Sequence, residues 1–95
     1  MNKKAVEQLT EVVAALRTNR FESLAEAAVF CEAAMATVDG KLCGVTEIGR
    51  ATKLPYSTVS RLIWNLSERG FLEYERDSSD RRIRRVRARL DAFKR

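Results

Sequence analysis

Apolar residues recur along this chain first at helical spacing and then, after Gly70, at strand spacing. Val6, Leu9, Val13 and Leu16 fall three and four apart, with Glu7, Gln8, Glu11 and Arg17 between them. That spacing predicts an amphipathic helix over about 3–18 with a narrow apolar seam. A narrow seam suits packing against another helix, in the same chain or in a second copy. Thr18-Asn19-Arg20 interrupts the pattern. The second helix opens at Ser23, which has capping-box spacing to Glu26, or one turn earlier at Asn19, which has it to Glu22. Its apolar face carries Leu24, Ala27, Ala28, Cys31, Met35 and Val38, and Asp39-Gly40 ends it with a left-handed glycine stop.

Lys41 to Val45 reads as a short edge strand, and Thr46 as the N-cap of a third helix reaching about Lys53, with Glu47 in its first turn. Pro55 drives Leu54 out of helical geometry, so Leu54-Pro55-Tyr56 is a turn. A fourth helix starts at Tyr56 or Ser57 and runs to Arg69, where Gly70 closes it. Two helices joined by so short a turn make a helix-turn-helix candidate. Beyond Gly70, Leu72 and Tyr74 alternate with Glu73 and Glu75, and Val86, Ala88 and Leu90 with Arg85, Arg87 and Arg89. The polar cluster Asp77-Ser78-Ser79-Asp80 lies between the two runs, so residues 71–90 form a β-hairpin with an apolar inner face and an arginine-rich outer one. The expected fold is mainly α with a small β-hairpin. It is a winged helix-turn-helix over 21–95, preceded by an amphipathic helix over 1–20.

On a helical wheel of residues 57–66, Val59, Leu62, Ile63 and Leu66 cluster on one side and Ser57, Thr58, Ser60, Arg61, Trp64 and Asn65 on the other. Small hydroxyls permit close approach to a nucleic-acid backbone, and arginine can grip guanine O6 and N7 with two parallel bonds. Tyr56 stands at the start of the same helix. Trp64 is unusual on a polar face, and its partner could be the wing, the first helix or a sugar-phosphate backbone. Arg81, Arg82 and Arg84 flank the hairpin tip, which suits the narrow, strongly negative minor groove. Asp80 is placed to orient Arg82.

Charge divides along the chain in the same sense. Residues 1–48 hold five Lys/Arg and seven Asp/Glu, whereas residues 49–95 hold thirteen and six, so the net +5 arises wholly from the second half. Such asymmetry points to a polyanion-binding face. The chain contains no histidine, and no nucleophile–base pair or glycine-rich phosphate loop appears. These features argue against an enzyme and against a cofactor or metal site. Cys31 and Cys43 are too few and too far apart for a metal site or disulfide framework, and read as two reduced structural thiols. No apolar run approaches a membrane span, and the segment MNKKAVEQ lacks the apolar stretch of a secretory signal, so a cytoplasmic location is expected.

The stretch from Val45 to Leu90 resembles the DNA-binding core of the MarR (multiple antibiotic resistance regulator) family. The resemblance rests on STVSRL at 57–62, LSERGFLE at 66–73 and DSSDRR at 77–82, in that order and spacing. It implies a homodimeric transcriptional regulator, most naturally a repressor, gripping a roughly palindromic duplex. Each protomer would place one recognition helix in the major groove and one wing in the minor groove. Carried over by position, Ser57, Thr58, Ser60 and Arg61 are the recognition-helix contacts, and Arg82 is the wing arginine held by Asp80. Thr52 and Lys53 depart from the family's usual leucine and glycine, and Gly49 from its usual alanine. The family also carries two long helices after the wing that form the dimer interface and wall a ligand pocket, whereas this sequence ends five residues after Leu90. Dimerisation is therefore expected to fall to Val6, Leu9, Val13 and Leu16, with Leu90 and Phe93 as further candidates, and a small-molecule effector is not favoured. The alternative reading is a winged-helix protein–protein module of a transcription or replication assembly.

Overall fold

The computed structural model describes residues 2–76 and 84–94. Asn2 starts the first helix, α1 (Lys3–Thr18), its side-chain oxygen accepting the Ala5 amide at 2.8 Å. Ser23 starts α2 (Leu24–Val38), its hydroxyl accepting the Glu26 amide at 3.0 Å, so of the two candidate starts the serine is used. Asp39 and Gly40 end α2, with Gly40 at φ 74. Strand β1 (Cys43–Gly44) follows, then α3 (Val45–Thr52), α4 (Tyr56–Glu68), β2 (Leu72–Arg76), β3 (Arg84–Ala88) and a short 3₁₀ turn at Leu90–Ala92.

The three strands form one antiparallel sheet in the order β1-β3-β2, with Cys43 opposite Val86 and Tyr74 also opposite Val86 on the other side. The expected edge strand is therefore present, and the hairpin is extended into a three-stranded sheet. Past the end of β1, the Ala88 amide donates to the Thr37 hydroxyl at 2.9 Å, which satisfies the ladder from α2.

One core joins these elements. Val29, Phe30 and Ala33 of α2, Ile48 of α3, Val59, Leu62, Ile63 and Leu66 of α4, and Leu72, Val86 and Ala88 of the sheet are all buried in it. Four phenylalanines gather at one end: Phe30 lies 5.6 Å from Phe21, 5.5 Å from Phe71 and 5.7 Å from Phe93, centroid to centroid.

Sequence periodicity is corrected at four points. The buried face of α2 is Glu26, Ala27, Val29, Phe30 and Ala33, so of the six residues assigned to its apolar face only Ala27 is buried. Leu24 and Val38 are 76% and 71% exposed, and Cys31 and Met35 are exposed with them. Aliphatic and alanine residues occur on both sides of this helix, so its period alone could not say which side is inward. Thr46 is not the N-cap of α3: Gly44, still extended and paired with Arg85, holds that position, and the helix begins at Val45. Leu90 leaves the hairpin and enters the 3₁₀ turn, directly after the Arg89 amide closes the ladder on the Phe71 carbonyl at 2.8 Å. Phe93, a candidate for the dimer interface, instead packs in its own core against Phe30.

A polar junction ties the helix ends together. Glu26 is fully buried and accepts from Arg69 at 2.6 Å, while Arg69 also donates to the Asn19 carbonyl at 2.7 Å and lies over the Phe71 ring. The buried Asn19 side chain accepts the Lys94 amide at 2.6 Å and donates to the Lys94 carbonyl at 2.7 Å. The C-terminal ends of α1 and α4, the first turn of α2 and the last described residues of the chain are thus held at one point. α1 itself buries none of its residues.

Candidate nucleic-acid interface

The large difference between the two sides of α4 fixes its orientation. Val59, Ile63 and Leu66 are completely buried and Leu62 nearly so. Burying each such side chain is worth ~1.5–3 kcal/mol, so rotating the helix would cost far more than any polar contact could return. The opposite side is consequently presented outward: Ser57 and Arg61 are exposed, Ser60, Thr58 and Asn65 partly so, and Tyr56 and Trp64 are 66% and 56% exposed. Arg61 pairs with no acidic side chain among the described residues. Trp64 stands in the middle of this face, one helical turn after Arg61 and two after Ser57, and is stacked on no other ring among the described residues.

The turn feeding α4 is set by local geometry. Lys53 takes a left-handed backbone, φ 60, at the C-cap of α3, where glycine would be at ease, so the departure at this position keeps the turn and carries strain of ~1 kcal/mol. Thr52 spends its hydroxyl on the Ile48 carbonyl at 2.7 Å. Gly49 lets α3 approach closely, since a β-carbon there would meet the Leu54 carbonyl at 3.3 Å and Val59 at 3.7 Å. Pro55 precedes α4 in extended geometry, and its carbonyl accepts the Val59 amide at 3.0 Å. Thr46, Gly49, Arg50 and Tyr56 line a shallow groove of about 270 Å³ between α3 and the start of α4. Arg50 is a basic residue of this surface that sequence reasoning did not single out. Its place in the last turn of the helix before the Pro55 turn was the available signal.

The sheet differs from expectation in its electrostatics. The outer arginines of the hairpin are neutralised by acidic neighbours: Arg87 meets Glu75 at 2.6 Å, Arg85 meets Glu47 of α3 at 2.8 Å, and Arg89 meets Glu73 at 3.5 Å and Asp91 at 3.2 Å. The strand bases are thus cross-braced, and Arg85 tethers the sheet to α3. Asp80, Arg81 and Arg82 lie outside the described residues, and Arg84 enters as the first residue of β3, opposite Arg76.

Neither cysteine is set up for reaction. Cys43 is buried, and that burial pushes its thiol up to about 11, with Glu47 adding to the rise. Desolvation, followed by Glu32, also raises Cys31. Among the described residues no group of histidine, cysteine and carboxylate side chains could hold a metal ion, and no helix is long and apolar enough to cross a membrane.

Comparison with known proteins agrees with this geometry. The family model described as MarR family matches residues 33–83. No curated protein sequence matches the chain at a significant level. Among solved structures, MepR from S. aureus in its complex with DNA is similar, with a TM-score of 0.75 at 16% identity over 94% of this chain and 69% of that one. BpsR of Bordetella bronchiseptica, solved in work on regulation of its DNA binding by 6-hydroxynicotinic acid, gives 0.63 at 23% identity over 96% and 66%. The transcriptional regulator BldR of Sulfolobus solfataricus gives 0.61 at 16% identity over 97% and 72%. At these identities the likeness is one of fold, and the chain spans about two thirds of the length of these structures.

Proposed function

This chain belongs to the MarR family, and from that membership we propose that it is a sequence-specific duplex-DNA-binding transcriptional regulator acting as a repressor. The family is one of transcriptional regulators and not of enzymes. In this reading α4 enters the major groove, with Ser57, Thr58 and Ser60 bonding to phosphates or base edges and Arg61 reading guanine. Tyr56 and Asn65 contact the flanking backbone. The wing, through Arg81, Arg82 and Arg84 with Asp80 orienting Arg82, enters the adjacent minor groove. Two copies joined through Val6, Leu9, Val13 and Leu16 present two recognition helices to a two-fold site.

The observation that carries the proposal is Arg61, with no acidic partner among the described residues, beside the exposed Ser57 and partly exposed Ser60 on the outward side of a helix whose inward side is locked in the core. Because the hairpin's basal arginines are spent on glutamates, the cationic contribution falls on Arg61, Arg50, Lys53 and the wing tip. Each phosphate neutralised releases condensed counterions, so log affinity falls linearly with log salt, with a slope of roughly −0.9 per phosphate contact. Fluorescence anisotropy on a labelled duplex between ~50 and ~200 mM salt measures that slope. Affinity indifferent to salt over this range contradicts the proposal and favours a protein partner for α4.

A further inference from the structure

Two apolar stripes in this molecule face outward and are covered by none of the described residues. On α1 the seam Val6, Leu9, Val13, Leu16 lies on the side opposite Glu11, Ala14 and Ala15, which line a depression together with Phe93 of the same chain. The seam therefore points away from its own domain. On α2 the stripe Leu24, Ala28, Cys31, Met35, Val38 lies opposite the buried face, at spacings of four, three, four and three. Both are the spacing of a coiled-coil seam.

We propose that the outward stripe of α2 is the docking surface for α1 of a second copy, packed antiparallel, with the pair repeated by a two-fold axis. This inference rests on the homodimer reading above and names the surface that α1 grips. Three observations favour it. Three half-exposed aliphatic side chains and a partly buried Leu16 on one short helix fall well short of the roughly 800 Å² per partner that a stable interface uses, so α1 against α1 alone is too small. Run antiparallel, four layers register in step, Val6 with Val38 of the second copy, Leu9 with Met35, Val13 with Cys31 and Leu16 with Ala28, while Leu24 falls beyond the end of α1. The edges also favour that direction. In that register Lys3 on one edge of the α1 seam falls beside Asp39 of α2, Thr10 beside Glu32 and Arg17 beside Ala25. Val12 on the other edge falls beside Ala34. A parallel arrangement would set the basic edge against alanines.

Because Cys31 is an exposed free thiol, the layer it occupies can be trapped directly. In the full chain carrying Val13→Cys, copper–phenanthroline oxidation is expected to give a covalent dimer whose disulfide joins Cys31 of one copy to the introduced thiol of the other, mapped by mass spectrometry under non-reducing conditions. A link between two introduced thiols, a link between two Cys31 residues, a link within one chain or no covalent dimer would each overturn the proposal. Met35→Asp places a charge in the Leu9 layer without touching the core, and is expected to weaken the dimer about tenfold or more in sedimentation velocity at unchanged helix content. An unaltered dimer overturns it as well. A correct cross-link in a protein that fails to bind duplex DNA removes the regulator reading and leaves this interface standing. Specific DNA binding without the cross-link does the reverse.

Discussion

α2 and α4 pack against each other and turn apolar faces to the same core, yet their outward faces have opposite character. That of α4 is hydroxyl, guanidinium and aromatic; that of α2 is leucine, alanine, thiol, methionine and valine. Water tolerates the first, and a phosphate backbone welcomes it. The second keeps its apolar surface in water until another protein surface covers it. In the proposed assembly α2 is buried twice, once in its own fold and once against the second copy. A helix with one apolar side is free to meet a polar ligand. The contrast is the ground for proposing different partners for the two faces.

The contrast can be broken most forcefully in the core. Leu66→Ala on the inward face of α4 is expected to cost ~2–5 kcal/mol in urea denaturation, whereas Leu24→Ala on the outward face of α2 should change stability by no more than ~0.5 kcal/mol. Comparable losses at both positions would mean that the α2 stripe is covered within the chain. Next in size is Arg61→Ala, which is expected to cost ~1–3 kcal/mol of binding on a preferred duplex and far less on an unrelated one. Equal losses on every duplex would reduce Arg61 to a phosphate contact. Smallest is Lys53→Gly, which relieves the left-handed backbone before α4 and is expected to raise thermal stability by ~0.5–1 kcal/mol. A loss of stability would show that the lysine side chain contributes more than its strain costs.

These two helices also explain how much of the molecule could be read from sequence. α4 was legible because polar and apolar residues separate cleanly around it, and α1 because Val6, Leu9, Val13 and Leu16 form an unbroken seam that Thr18-Asn19-Arg20 ends. The glycines at 40 and 70 marked both helix ends correctly, each at positive φ. α2 was misread because Val29, Phe30 and Ala33 on one side and Leu24, Cys31, Met35 and Val38 on the other are equally apolar. Only the tertiary fold decides which side Ile48 and Leu66 cover. The fully buried Glu26 was visible only as a capping residue, since nothing local announces that Arg69, far along the chain, will meet it. The hairpin arginines were counted as free charge for a similar reason: their glutamate partners lie across strands or on α3, where composition along the chain cannot pair them. The serine, arginine and tryptophan face of α4 was identified, but the placement of Arg50 beside Tyr56 was not, because it depends on the angle between α3 and α4.

The central claim, that the outward face of α4 reads duplex DNA in a two-fold assembly, is tested most directly by selecting bound sequences from a pool of random duplexes. The account predicts enrichment of one site made of two inverted half-sites, their centres about one helical turn apart or a multiple of it. Recovery of no preferred sequence, from protein that is folded and dimeric, would contradict it.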